Sequence, residues 1–206
     1  AQATGDLAAA REVVVQLDAL YRDRAELAAA RAAMAAQRDD IFDGPALLAL
    51  AEARLLLPLD NAARLEIEAA SRQVATVTAL VPIALADMLA ALTGNIRMIR
   101  RIAEIYGGRS SPLGAWRLTR AVLSHLVAMG AVAIGDDLIG SVAGGSVLSK
   151  ISRRFGEGVV NGALTARVGV AAMEVCRPLP FGPGQKPAVS ALLRRALTGL
   201  FGSGTG

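Results

Sequence analysis

The chain has one cysteine, Cys176, and one histidine, His125, among its 206 residues. A single thiol excludes an intramolecular disulfide and a thiolate metal cluster, and neither a metal nor a cofactor is expected. A lone imidazole within "VLSHLVAMG" reads as a helix residue with a satisfied ring rather than a ligand or base. Its neighbour Ser124 points about 100° away on a helix, so adjacency does not make a nucleophile–base pair. No Gly-x-x-x-x-Gly-Lys phosphate loop occurs, so nucleotide chemistry is not the chain's own. Aromatic residues are only 3% of the chain. Without rings between its arginines, it offers no stacking platform for nucleic acid. Lysine is also scarce, at Lys150 and Lys186 among 22 basic residues. That skew, beside abundant Ala and Gly, reads as coding bias rather than a phosphate-binding strategy. Long apolar runs are missing too. Residues 121–135, 73–86 and 138–149 are uncharged for 15, 14 and 12 positions. A spanning helix needs ~18–20, so no membrane span is expected. The start, "AQATGDL", carries neither an initiator Met nor a basic-plus-apolar signal, and the chain is expected to be a piece of something longer.

What remains is helix-forming. The chain is 53% hydrophobic, carried by Ala, Leu, Val and Ile, with Arg and Glu as the main charges. No alternating run is long enough for a sheet, and no internal repeat is visible. The expected fold is all-α: a bundle of about seven to eight helices with an N-terminal helical hairpin arm.

Three parts are predicted: an acidic Ala-rich hairpin arm over 1–57, a helical core over 58–201, and a disordered tail over 202–206. The arm opens on one helix over 6–38, with Val13, Leu20, Leu27 and Met34 as a thin heptad stripe. "DDIFDGP" breaks it, and a second helix runs over 45–57 until Pro58 stops it. A third helix begins near Ala62, and Pro82 forces a kink or restart. The next ends at Tyr106, closed by Gly107 and Gly108. Further helices are expected from Pro112 to Met129, in two short pieces across the glycines of 130–145, over 157–177, and over 187–201.

Charge is uneven. Residues 1–72 hold eight arginines against twelve carboxylates, a net of −4, whereas residues 73–206 hold fourteen basic against six acidic groups, a net of +8. Such a division suits an anionic partner, a lipid surface, or attraction between the two halves. In "NIRMIRRIAEIYG", Arg97, Arg100, Arg101 and Glu104 share roughly 100° of helix arc, opposite Met98, Ile99, Ile102, Ile105 and Tyr106. With Arg109, Arg117 and Arg120, these arginines are the candidate binding residues. Their bland reading is a solvated face.

A second set of polar residues sits in apolar settings: Asp87, Asn95, Arg167, Glu174 and Arg177. Asn95 falls mid-way in the apolar arc, and Asp87 at its edge. Gly158, Gly162, Thr165, Ala166, Gly169, Ala172 and Cys176 form a small-residue face for close helix approach, with Arg167 and Glu174 projecting from the other side. A buried Asp87–Arg167 ion pair between two central helices is expected, since an unpaired buried carboxylate is costly. The role expected for this set is architectural.

"LTARVGVAAMEVCRPLPF", with "LVPIALADMLAALTGNIRMIRRIAEIYGG" and "LGAWRLTRAVLSHL", resembles the YcjF-type family of bacterial inner-membrane proteins of unknown function. The likeness covers roughly residues 46–181. Asp87, Asn95, Arg97, Arg167, Glu174 and Arg177 match the family's polar pattern, which carries no established catalytic residues. The resemblance implies a parent with a variable N-terminal region, a pair of membrane helices and a helical cytoplasmic domain. It also implies a partner P-loop nucleotide hydrolase of the YcjX type and a role in envelope or heat stress. The chain departs from the family by lacking the membrane pair, which fits a C-terminal piece on the cytoplasmic side of the inner membrane. The expectation is a non-enzymatic interaction domain that docks such a hydrolase or self-associates through the arm. The alternative is a peripheral domain binding anionic lipid through the basic 97–120 segment.

Overall fold

The computed structural model describes the backbone of residues 7–80, 84–107, 119–122, 124 and 147–201, with the side chains of 84–90, 147–154 and 199–201 excepted. The fold is all-α. Seven α-helices lie among the described residues: α1 (Leu7–Leu20), α2 (Ala28–Arg38), α3 (Gly44–Ala51), α4 (Leu57–Leu80), α5 (Ala84–Ile105), α6 (Val147–Cys176) and α7 (Val189–Phe201). The chain divides into two compact units, Ala1–Ala62 and Ala63–Gly206.

In the first unit, the helix expected over 6–38 is two helices. α1 ends at Leu20, and a 3-10 turn over Ala25–Leu27 leads into α2. Local propensity does not dictate this break. Arg31 folds back to donate two hydrogen bonds to the Asp18 carboxylate, at 2.8 and 3.0 Å, and a third to the carbonyl of Arg22 at 3.0 Å. A contact between residues thirteen positions apart thus overrides the Ala-rich sequence. The buried stripe of α1 also differs from the expected heptad. Ala10, Val14 and Leu17 face inward with Tyr21, whereas Leu20 is 49% exposed. Their 4-3-4 spacing is that of a helix face packed on a neighbour, and α1 lies on α3.

Asp43 caps α3, its Oδ2 accepting from the Ala46 amide at 2.9 Å, with Pro45 in the first turn. Pro58 does not stop the helix. The chain passes through a π turn over Glu52–Leu56 straight into α4, and the Leu57 amide bonds to the carbonyl of Glu52. This wider i→i+5 register relieves the clash that a proline ring makes with the carbonyl four residues earlier. Leu55 and Leu56 are fully buried at that turn.

In the second unit, α5 packs on α6, and α6 on α7. α4 ends at Leu80 and α5 starts at Ala84, so the chain does restart around Pro82. Of the expected apolar arc of α5, Met98, Ile99, Ile102 and Tyr106 are buried, while Ile105 at its edge is half-buried. Gly107, with φ 95°, ends the helix in the left-handed conformation, its amide bonding to the carbonyl of Glu104. Gly108 lies outside the described residues, as do the elements expected over 130–145 and most of 112–129.

α6 begins ten residues earlier than expected, at Val147, and its glycines at 158, 162 and 169 are contact points on the small-residue face read from the sequence. A Cβ at Gly158 would lie 2.6 Å from the carbonyl oxygen of Ala75, and one at Gly162 would lie 3.1 Å from that of Ser71. A Cβ at Gly169 would collide with Ile67. The small-residue face therefore lets α6 run close and antiparallel to α4. Each Gly costs about 1 kcal/mol of helix propensity, which the close packing offsets. Asn161 crosses the same seam to donate to Thr78 Oγ1 at 3.1 Å.

The expectation that no helix is long enough to cross a membrane needs correcting. Over Phe155–Cys176, α6 is long and apolar enough by length and composition. Counting only uncharged runs missed it, because Glu157, Arg167 and Glu174 divide a stretch whose mean hydropathy is still high. Of the 18-residue apolar window within that span, 44% is buried inside the protein, and its glycine face is occupied by α4.

Candidate functional site

The exposed face of α5 follows directly from its period. With Met98, Ile99 and Ile102 turned inward, positions 93, 97, 100, 101 and 104 share the opposite side. Thr93, Ile96, Arg97, Arg100, Arg101 and Glu104 line an open groove of about 490 Å³ along this helix. Arg101 pairs with Glu104 at 3.2 Å, one turn on. Arg97 and Arg100 are exposed and form no ion pair among the described residues. Like charges three and four positions apart cost a helix a few tenths of a kcal/mol per pair. The groove is thus a surface that gains from an anionic counterpart.

The structure brings together three of the six arginines singled out from sequence. Arg120 is exposed on the helical turn 119–122 and does not line the groove. Arg109 and Arg117 lie outside the described residues. Thr93 and Ile96 complete the groove and were missed. Their positions, one turn before Arg97 and beside it, were the available signal.

The second polar set makes local contacts. Glu174 accepts from Lys186 at 2.7 Å, which ties the α6–α7 loop back to α6. Arg177 is 7% exposed and donates to the carbonyls of Leu179 and Pro180 at 2.7 and 2.9 Å. Arg167 is half-buried in α6. Asp87 belongs to α5, but its side chain lies outside the described residues, so the expected Asp87–Arg167 pair falls outside them too. Asn95 keeps the place read from sequence: its Oδ1 is buried and meets no hydrogen-bond donor among the described residues.

Burial pushes the Cys176 thiol up to about 11, so the thiolate that nucleophilic chemistry needs is scarce at neutral pH. Among the described residues, no group of three or more His, Cys, Asp or Glu side chains could hold a metal ion.

The family model described as domain of unknown function (DUF697) matches residues 42–202. A UPF0283 membrane protein of Agrobacterium fabrum is 44% identical over 197 residues, covering 96% of this chain and 55% of the relative. One from Rhizobium etli is 47% identical over 182 residues, covering 88% and 51%. One from Mesorhizobium japonicum is 45% identical over 191 residues, covering 93% and 53%. The chain spans about half the length of these curated relatives. No solved structure matches it. With most of its length matched by that family model, the chain belongs to the DUF697 family, and its relatives are named as bacterial membrane proteins.

Proposed function

We propose that this chain is a non-enzymatic helical interaction domain of a bacterial inner-membrane protein, on the cytoplasmic side. Its docking surface is the arginine groove of α5. The partner is an acidic protein surface, on a P-loop nucleotide hydrolase of the YcjX type or on another copy of the chain. The observation that carries this reading is the pair of guanidiniums, Arg97 and Arg100, exposed at a groove beside Ile96 and without an ion pair among the described residues. Arginine suits such a site because its planar fork meets carboxylates two bonds at a time. A role in envelope stress, as the YcjF-type resemblance implies, would follow from the partner rather than from chemistry in this chain. The test is a pull-down of the hydrolase by the isolated domain. Binding at low salt that weakens steeply as salt rises is expected. If the domain ignores its hydrolase at both low and moderate salt, the hydrolase reading fails.

A second reading, anionic lipid on the same strip, is favoured by Leu92. This residue is 55% exposed one turn before Ile96, so an apolar margin runs beside the arginines, as on helices that lie in a membrane interface. Liposome co-sedimentation separates the two. Equal binding to neutral and anionic vesicles would sink the lipid reading.

A further inference from the structure

Phe42 is the most exposed large apolar side chain among the described residues, at 79%. It stands on the turn between α2 and α3 in "DDIFDG", flanked by Asp39, Asp40 and Asp43. The turn is held in place: the Asp40 amide bonds to the carbonyl of Gln37, that of Ile41 to Arg38, and Asp43 caps α3. Among the described residues, Asp39, 85% exposed, reaches only the adjacent Arg38, at 3.5 Å, and the Asp40 carboxylate has no ion pair. A preformed aromatic knob ringed by carboxylates is the shape and charge of a docking element, because its ordering cost is already met in the free chain.

The α5 groove carries the complementary pattern. Ile96 and the Thr93 methyl supply an apolar wall, and Arg97, Arg100 and Arg101 a cationic rim. Guanidinium planes also stack on aromatic faces, so the same arginines fit both the ring and its acidic collar. We propose that Phe42 of one copy seats in the α5 groove of a second copy, with Asp39 and Asp40 against Arg97 and Arg100. This inference rests on the reading of the α5 strip as a protein-docking surface and names a second copy as its occupant. Knob and groove are different patches, so two copies either exchange both contacts about a two-fold axis or join head-to-tail into an open chain or a closed ring. One knob and its collar make a small interface, and small interfaces bind weakly, so association is expected in about the micromolar range or above.

The test is light scattering on the 206-residue chain from about 10 to 500 µM, a window that brackets weak association. The average mass should rise with concentration and fall back to the monomer when salt is added. Phe42→Ser, Asp39→Arg/Asp40→Arg and Arg97→Glu/Arg100→Glu should each remain monomeric. Mixing the two charge-reversed variants should restore association, which misfolded chains could not do. A monomeric wild type across the range, a Phe42→Ser chain that associates like wild type, or a mixture that stays monomeric overturns the proposal. Phe42→Ser leaves the α5 arginines intact, so hydrolase capture by that variant distinguishes a failure of self-association from a failure of the groove as a docking surface.

Discussion

The Arg177 guanidinium lies 4.5 Å from the centre of the Phe181 ring, four residues further on, while its Nη1 donates to the carbonyls of Leu179 and Pro180 between them. The segment "CRPLPF" is thus folded around its own arginine. Neither Pro178 nor Pro180 has an amide to offer a neighbour, so a side-chain donor serves carbonyls that no helix can bond. Lys186 then ties the far side of the loop to Glu174. Together these contacts fix the turn from α6 into α7 and explain why an arginine there is nearly buried.

Arg177→Lys should therefore destabilise the chain by roughly 1.5–3 kcal/mol, the range for lost hydrogen bonds to a charged group. A lysine keeps the charge but loses the planar fork and the ring contact. Calorimetry would show a lower Tm, and limited proteolysis would show faster cleavage within 178–188. An unchanged Tm would mean that the clamp contributes nothing.

The α4–α6 seam makes a paired prediction. At Gly158 a methyl group would meet the backbone of Ala75, so Gly158→Ala should cost roughly 1–3 kcal/mol through overpacking. At Gly156 nothing lies within 4 Å of the new carbon, so Gly156→Ala should be neutral or stabilise by up to about 1 kcal/mol. Denaturant unfolding of the two variants side by side measures the contrast. Equal effects would contradict the close approach.

In the first unit, the hydrogen bonds from Arg31 hold the Asp18 carboxyl below its ordinary value of 3.8. A depressed carboxylate adds stability above its unfolded value. That stability is lost as pH falls from there through the lower folded value. The N-terminal unit should accordingly lose helicity below about pH 4, and Asp18→Asn should remove that part of the pH dependence while lowering stability at pH 7. Circular dichroism melts at pH 3 to 7 would show it. Parallel pH profiles for wild type and variant would exclude the pair as their cause.

Much of the architecture was legible because it is periodic. The inward set Met98, Ile99, Ile102 and Tyr106, the outward arginines and the Gly107 stop all follow from spacing along one helix. What was not legible depends on partners distant in sequence. The break after Leu20 is made by Arg31 reaching Asp18, and the passage through Pro58 by a π turn over buried Leu55 and Leu56. The early start of α6 was hidden because residues 147–156 follow directly on the glycine-rich 130–145 stretch, where short helical pieces were expected instead. At the candidate site, the arginine strip could be read but not the groove, which needs Thr93 and Ile96 as walls. Phe42 was passed over as part of a turn, although an aromatic among three aspartates in a chain with four phenylalanines was a signal in itself.

The central claim is that Arg97 and Arg100 make α5 a docking surface for an acidic protein partner. Titrating the domain into the proposed partner, a YcjX-type hydrolase, followed by light scattering at low salt, tests it most directly. The wild-type domain should form a complex of defined mass, and Arg97→Glu/Arg100→Glu, with unchanged helicity, should form none. A charge-reversed domain that binds the hydrolase as tightly as wild type would contradict the account.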